Sequence, residues 1–238
     1  VEAYNASTLN CFAFRRGNDE RQGLSLSLGN MVRGYAFELQ GIRFHNSECA
    51  YIAGAFSGGT YTHIAIQRRL VACDNGCLSR GLGDVYKRQD WESFNVEWMK
   101  YVVRQKCLGN EDFRRLLLSL PSDAVIIEDS TFQTGRTATK WGTRNDELRR
   151  RLTLLKKKLK ARGLSKAAIK REQDRMRLGE YASVGCFVGQ NLMGKILMAC
   201  KEALESGIEP DIDYDLLIGK HINILGREIS FNQRAIAA

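Results

Sequence analysis

Carboxylate side chains occur at two places along the 238-residue chain where they could carry out proton-transfer chemistry. Glu48 falls in the first turn of a predicted helix, and the pair Glu128 and Asp129 lies at the end of a predicted strand. A carboxyl group fixed at the end of an element can give a proton to a leaving group or take one from water. The alternatives are a surface glutamate that compensates the helix dipole and a solvated acidic turn.

Other residues have side chains suited to holding a ligand. Trp141 offers a flat face for stacking a planar ring, and Gly142 beside it allows close backbone approach. Asn30 and Asn191 can each hydrogen-bond sugar hydroxyls through both amide atoms. Asn191 also heads a predicted helix whose N-terminus, with Gly189, could hold a phosphate. The alternatives are a core tryptophan and a helix-capping asparagine.

Lys106 is the one basic side chain that we interpret as a possible participant in chemistry. It could pair with a phosphate or, if burial lowers its pKa, act as a nucleophile. A solvated lysine on a helix surface is the alternative.

The elements that position these residues follow from the spacing of apolar side chains. Alternation from Tyr35 to Phe44 around Gln40 and Gly41 predicts a β-hairpin, after which Ser47 is a plausible N-cap. Helical or strand spacing predicts four further elements: helices over 90–107, 111–120 and 190–206, and a strand over 124–128. Weak alternation over 222–231 surrounds Gly226.

The net charge of +9 is concentrated in one segment. Residues 144–177 contain 14 Lys or Arg against four acidic residues, whereas the rest of the chain has 22 basic and 23 acidic residues. Leucines at heptad-like spacing from Leu148 to Leu159, a break at Gly163 and a cap at Ser165 predict an inserted basic helical hairpin over 144–178. It could bind a nucleic-acid backbone or be a solvated, self-associating helix pair, since aromatic side chains for base stacking are absent between Leu148 and Met176.

Length and composition predict one domain over 23–238, preceded by a loosely ordered segment over 1–22. Residues 79–89, SRGLGDVYKRQ, resemble the translation of a transposon-type sequencing adapter, so we interpret them as an assembly artefact. No apolar stretch is long enough to span a membrane, and no signal pattern is present. Seven cysteines without a framework spacing predict reduced thiols in a cytoplasmic protein, and Cys73 and Cys77 lack the second pair that a zinc site needs.

Six stretches resemble the NADAR (YbiA-like) family in order along the chain. They are LGNM at 28–31, GIRFHNSE at 41–48, the stretch from Trp91 through Lys106 to Asn110, Glu128 at a strand end, the pair Trp141 and Gly142, and GQNLMGKILM at 189–198. The last is the most specific, because it resembles the family's G-x-N-x-x-G-x-x-L-M helix. The resemblance implies a mainly α fold, a YbiA-like helical array with short β-hairpin and strand elements, into which the basic hairpin is inserted.

Two positions depart from the family's pattern. The family's lysine seven residues after the glutamate is Ala55 here, and its aspartate three residues before the Trp-Gly pair is Ala138. Any step that depends on either side chain is therefore in question for this chain.

The resemblance implies an N-glycosidase, which hydrolyses a bond between a ribose carbon and a nitrogen. Cleavage passes through an oxocarbenium-like transition state, so Glu48 is the residue expected beside that carbon, with Asp129 or Glu128 protonating the departing base. Because the basic segment suggests a nucleic-acid partner, we favour ADP-ribosylated guanine in DNA or RNA as substrate. The alternatives are phosphorylated ribosylamine intermediates of riboflavin synthesis and a non-catalytic ADP-ribose binding module. No cofactor, metal or membrane partner is expected.

Overall fold

The computed structural model describes residues 1–15, 17–74, 84–135 and 137–231. The helices in these ranges are α1 (Ser47–Ala55), α2 (Tyr61–Val71), α3 (Trp91–Gly109), α4 (Glu111–Leu118), α5 (Ala138–Trp141), α6 (Asp146–Ala161), α7 (Lys166–Leu178), α8 (Leu192–Ser206) and α9 (Tyr214–Ile218). The strands are β1 (Glu2–Asn5), β2 (Cys11–Phe14), β3 (Glu20–Arg21), β4 (Leu24–Ser25), β5 (Phe37–Leu39), β6 (Ile42–Phe44), β7 (Val125–Glu128), β8 (Thr143–Arg144), β9 (Cys186–Gly189), β10 (Asn223–Ile224) and β11 (Arg227–Glu228). Helices dominate, but the many short strands make the mainly α prediction a loose description.

The chain forms two compact units, each built from two separated segments. Unit 1 contains Val1–Gly29 and Ser119–Met198, and unit 2 contains Asn30–Leu118 and Ala199–Ala238. The sequence predicted one domain from residue 23 onward. Both units draw on residues far apart in the chain, which is why composition and local spacing do not reveal the division.

The N-terminal segment is part of the folded structure of unit 1, so the prediction that residues 1–22 are loosely ordered is wrong. β2 pairs in parallel with β7, from Cys11 opposite Val125 to Phe14 opposite Glu128. Phe12 in this strand has no exposed surface. A four-residue buried strand shows no sustained periodicity, because both of its faces are apolar. The partner that buries it lies more than a hundred residues away.

Unit 1 also contains a three-stranded antiparallel sheet with the order β1, β9, β8. An apolar core in unit 1 joins the N-terminal segment, β7, β9 and the two hairpin helices. Its buried residues include Ala6, Cys11, Ile127, Leu148, Leu152, Met176 and Phe187. The first turns of α6 and the last turn of α7 are therefore anchored in this core.

The basic helical hairpin forms as predicted from α6 and α7. Ser165 caps α7, because its side chain accepts a hydrogen bond from the backbone N–H of Ala168 at 3.2 Å. Gly163 has φ +77°, a left-handed conformation that commonly ends a helix. Glycine adopts it without strain because it has no Cβ. The side chain of Gln173 in α7 donates to the carbonyl of Leu152 in α6 at 3.0 Å.

Unit 2 begins with the predicted β-hairpin. β5 and β6 pair from Phe37 opposite Phe44 to Leu39 opposite Ile42. Gln40 and Gly41 between them have φ 49° and 81°, the two successive positive values of a type I′ turn. The sequence therefore located both the strands and the turn.

The start of α1 differs by one residue from the prediction. Asn46, not Ser47, is the N-cap, because its side chain accepts a hydrogen bond from the backbone N–H of Cys49 at 2.9 Å. Ser47 instead directs its hydroxyl to the side-chain oxygen of Asn30 at 2.9 Å. Asparagine and serine are equally good caps, and the contact with Asn30 decides between them.

The core of unit 2 packs α1 against α3. Trp98 of α3 is fully buried, and its indole N–H lies 3.2 Å from the carbonyl oxygen of Ala50 and 3.1 Å from that of Tyr51. A Cβ at Gly54 would collide with this indole, so only glycine allows the two helices to approach this closely. Ala55, the next residue, is also fully buried in this core.

The adapter-like segment over 79–89 is described only from residue 84 onward, and its first part lies outside the described residues. Asp84–Tyr86 form a single 3₁₀ turn. Arg88 follows, and its guanidinium pairs with Asp90 and lies 5.0 Å from the Phe94 ring centroid. The interpretation of this segment as an artefact stays a prediction.

Candidate functional site

Two of the predicted site residues, Glu48 and Asn30, lie together in unit 2. Glu48 is the second residue of α1, and its backbone N–H donates to the carbonyl oxygen of Asn30 at 3.1 Å. The Asn30 side chain accepts from the Ser47 hydroxyl and places its amide nitrogen 3.5 Å from the sulfur of Met99. The Glu48 side chain is half-buried, at a helix end where negative charge is favoured.

Tyr51 is a neighbour of Glu48 that the sequence interpretation missed. Burial raises the pKa of its phenol, and the charge of Glu48 raises it further. The phenol therefore keeps its proton and can act as a hydrogen-bond donor across the physiological pH range. The spacing of three residues from Glu48 puts both side chains on one helix face, and that signal was available in the sequence.

Lys106 lies in the last turn of α3, where only 1% of its surface is exposed. Its ammonium nitrogen is 3.8 Å from the ring centroid of Phe113 and 5.3 Å from that of Tyr35. Burial lowers the pKa of this amine to about 7. The alternative of a solvated surface lysine is therefore wrong, and a neutral amine is accessible near neutral pH.

In unit 1, Asn191 joins the other predicted residues through hydrogen bonds. Its side-chain oxygen accepts from the backbone N–H of Glu128 at 3.1 Å, and its side-chain nitrogen donates to the carbonyl of Ile126 at 2.8 Å. Its backbone N–H donates to the carbonyl of Gly142 at 3.3 Å. Asn191 is fully buried with φ 50°, a conformation that asparagine tolerates better than most residues. The amide thus fastens the start of α8 to β7.

Gly142 and Gly189 permit close backbone contacts around Asn191. A Cβ on Gly142 would lie 2.7 Å from the carbonyl oxygen of Glu128 and 2.6 Å from the Ser130 hydroxyl. A Cβ on Gly189 would collide with the carbonyl oxygen of Gly142. The predicted pair of ligand-contacting glycines therefore has a packing role in this cluster.

Two side chains at the edge of this cluster retain exposed surface. Glu128 ends β7 and Trp141 ends α5, and both are half-buried. The ammonium nitrogen of Lys140 lies 5.7 Å from the Trp141 ring centroid, a distance at which a cation is attracted to the ring face. We refer to the residues Glu128, Trp141, Gly142, Gly189 and Asn191 as the Asn191 cluster.

Asp129, next to this cluster, is buried with 1% of its surface exposed. One carboxylate oxygen accepts from the backbone N–H of Thr131 at 2.9 Å, and the other lies 3.7 Å from a guanidinium nitrogen of Arg177. Arg177 also pairs with the buried carboxylate of Asp19. Asp129 is thus part of a buried ion cluster, whereas Glu128 is the more accessible of the two predicted proton donors.

The two departures from the family's pattern are buried positions. Ala55 in unit 2 has no exposed surface, and Ala138 in unit 1 has 4%. Ala138 is the first residue of α5, and Ala55 packs in the apolar core of unit 2.

Both units contain a cavity lined by described residues. In unit 2 a depression of about 300 Å³ is lined by the β5–β6 hairpin and the end of α3, and it includes Glu38, Arg43 and Gln105. In unit 1 a small cavity of about 10 Å³ is lined by Arg21, Arg177 and apolar side chains. Neither lining includes a predicted site residue. The described residues contain no cluster of three His, Cys, Asp or Glu side chains placed to hold a metal ion, and Cys77 lies outside them.

Comparison with known proteins shows the fold. The chain is similar to the NMR structure of the Escherichia coli protein YbiA, with a TM-score of 0.50 and 18% sequence identity over 83% of this chain and 86% of that one. No family model matches the chain, and no curated protein matches its sequence. The chain therefore has a YbiA-like fold. No helix in the described ranges is both long and apolar enough to cross a membrane.

Proposed function

We propose that the protein is an N-glycosidase that hydrolyses the bond between a ribose carbon and a nitrogen. The observation that carries the proposal is Glu48, a half-buried acidic residue in the first turn of α1, whose backbone N–H donates to the carbonyl of Asn30 and so fixes the start of the helix. A fixed negative charge stabilises the positive charge that develops on the sugar carbon in the transition state. The YbiA-like fold and the ordered sequence resemblance to the NADAR family support the proposal.

In the proposed reaction, Glu48 faces the anomeric carbon and orients a water molecule. The water oxygen forms a bond to that carbon, the bond from carbon to nitrogen breaks, and the electron pair leaves with the base. The attacking water gives up one proton and the departing base nitrogen takes one up. Within unit 1, Glu128 is the carboxyl better suited to proton transfer, because its side chain is more accessible than that of Asp129. Asp129 is then a positioning residue.

The remaining predicted residues have supporting roles in the proposal. Within unit 1, Trp141 offers a face for stacking a base or a nicotinamide-like ring. Within unit 2, Asn30 can hydrogen-bond a sugar. Asn191, Gly142 and Gly189 keep the backbone of the Asn191 cluster in place, and so position Glu128 and Trp141 at its edge. Lys106 is the proposed nucleophile of an alternative route without direct attack by water, because its lowered pKa makes the neutral amine available. In its charged form it would instead pair with a phosphate.

We favour ADP-ribosylated guanine in nucleic acid as the substrate, because the chain's excess positive charge lies in one helical hairpin. The first alternative is hydrolysis of small phosphorylated ribosylamines, which gives the hairpin no role. The second is a non-catalytic ADP-ribose binding module, supported by the alanines at positions 55 and 138.

The first prediction compares the wild-type protein with Glu48→Gln on a guanine oligonucleotide that carries ADP-ribose and on ribosylamine phosphate. We expect release of free ADP-ribose by the wild type and a loss of at least about 100-fold in kcat for the variant. Release is measured by liquid chromatography with mass detection. Glu111→Gln is the matched control, because Glu111 also lies in the first turn of a helix, α4, and is exposed.

The three functions give different results in this experiment. Turnover of the oligonucleotide that depends on Glu48 supports the proposal. Turnover of ribosylamine phosphate alone would move the substrate to the small-molecule class. Binding of ADP-ribose without turnover of either compound would replace the enzyme with the binding module.

A further inference from the structure

The basic hairpin has two parts that differ in how their charges are compensated. We define the base segment as residues 146–155 and 172–178, and the tip segment as residues 156–171. In the base segment, Arg150 and Arg151 both pair with Glu147 at 2.8 and 2.9 Å. Arg175 pairs with Glu172 at 2.6 Å.

The tip segment carries only positive charge. Its eight basic residues are Lys156, Lys157, Lys158, Lys160, Arg162, Lys166, Lys170 and Arg171. All eight are exposed, and none forms an ion pair with any residue that the structure describes. No acidic residue occurs between Leu148 and Arg171. In the base segment only Arg149 is likewise exposed without an ion pair to a described residue, so most of the hairpin's uncompensated charge lies in the tip segment.

This arrangement does not favour the stability of the helices themselves. Lys156 and Lys160, and likewise Lys166 and Lys170, are like charges four residues apart, which destabilise a helix by roughly 0.2–0.5 kcal/mol per pair. Lys166 is also a cation at the N-terminus of α7, where the helix dipole disfavours positive charge. A polyanionic partner that neutralises these charges would remove both costs.

The stem that presents the tip segment is firmly fixed in unit 1. Leu148, Leu152 and Met176 belong to the core, and Arg177 pairs with the buried Asp19. Asp174 of α7 also pairs with Arg15 at 2.7 Å. A rigid stem loses little conformational entropy when the tip binds, which favours affinity.

We propose that the tip segment binds the phosphate backbone of a nucleic-acid duplex. Lysines and arginines on two adjacent helices provide the charge that phosphates require and release counterions on binding. A duplex is favoured over a single strand because no aromatic side chain lies between Leu148 and Met176 to stack on unpaired bases. The proposal concerns unmodified nucleic acid and does not rest on the glycosidase function.

The test measures binding of the whole protein to a fluorescent 20-base-pair DNA duplex by anisotropy over about 50–250 mM NaCl. The tip variant Lys157→Gln, Lys160→Gln, Lys166→Gln is compared with the base variant Arg150→Gln, Arg151→Gln, Arg175→Gln. Both variants remove three exposed positive charges, so they have the same net charge.

We expect the tip variant to bind the duplex at least about tenfold more weakly than the wild type. The slope of log K plotted against log salt concentration should fall in magnitude by about 2–3, because three phosphate contacts are lost. The base variant should change the slope by less than about 1. Circular dichroism checks that both variants keep the wild-type helical content.

Three results would overturn the proposal. Equal weakening by the two variants would mean that net charge alone attracts the duplex. Tighter binding to a single strand of the same sequence would contradict the duplex assignment. Binding to vesicles containing 30% phosphatidylserine with no binding to duplex at the lowest salt would replace nucleic acid with an anionic membrane surface.

Discussion

Lys106 shows how a single buried side chain can link stability to pH. Its ammonium group is enclosed by α3 and the rings of Phe113 and Tyr35, and burial lowers its pKa from 10.5 to about 7. Because the native pKa lies below the unfolded one, the charged form is disfavoured in the native state. The destabilisation is fully present below about pH 7 and disappears as the pH rises toward 10.5.

Lys106→Met should therefore stabilise the protein most at low pH. We expect the free energy of unfolding at pH 6 to rise by roughly 3 kcal/mol, and the gain to shrink as the pH approaches 10. Urea unfolding at pH 6, 7.5 and 9 measures this change, with the exposed Lys158→Met as the control. A variant less stable than wild type at pH 6 would mean that the aromatic rings stabilise the ammonium more than burial penalises it.

Asn191 shows why the role of a residue in a motif depends on its neighbours. The pattern GQNLMGKILM marked it as a ligand-binding residue, but the same pattern also fits a structural role. Both amide atoms bond to the backbone of β7. Gly194, in the same motif, is required because a Cβ there would collide with the carbonyl of Ile126. Part of this motif therefore specifies how α8 packs on β7.

At the scale of elements, Arg177 connects the hairpin to the rest of unit 1. Its guanidinium has only 2% of its side-chain surface exposed and pairs with Asp19 and Asp129. It also donates to the carbonyl of Ala13 in β2 at 3.3 Å. Loss of this side chain would leave two buried carboxylates without their main cation.

Arg177→Met should lower the free energy of unfolding by about 3–5 kcal/mol, because a broken buried ion pair leaves an uncompensated charge. Thermal and urea unfolding at pH 7 measure the loss. Arg150→Met changes the same residue type in the exposed Arg150–Glu147 pair and should have no measurable effect. Equal stability of the two variants would show that the buried cluster contributes nothing.

At the scale of the whole molecule, six of the eight basic residues of the tip segment can be removed while the side chains that anchor the hairpin in the core of unit 1 are kept. The side chains that anchor the hairpin are Leu148, Leu152, Met176 and Arg177, all in the base segment. Replacing residues 156–169 with a short Gly-Ser linker retains every one of them. The shortened protein should keep its helical content outside the deletion.

This shortened protein distinguishes the proposed substrates. We expect its kcat/KM on ADP-ribosylated oligonucleotide to fall at least about tenfold while turnover of free ribosylamine phosphate, if present, is unchanged. Steady-state kinetics at 100 mM salt measures both values. Unchanged kinetics on the oligonucleotide would show that the hairpin has no part in substrate capture.

The sequence by itself determined the elements whose signals are local. The β5–β6 hairpin follows from alternation around Gln40 and Gly41, and the basic hairpin follows from its leucine spacing, Gly163 and Ser165. These predictions succeeded because turn geometry, capping and amphipathic spacing depend on residues close together in the chain. The order of the family-like stretches also pointed to the YbiA-like fold.

Only the tertiary structure decided features that depend on residues distant in the chain. The pairing of β2 with β7 makes an ordered strand of a segment that shows no periodicity. Burial among aromatic rings sets the state of Lys106, and Arg177 makes Asp129 part of an ion cluster. A side chain's burial and charge partners come from whichever elements pack against it, and local spacing does not encode those contacts.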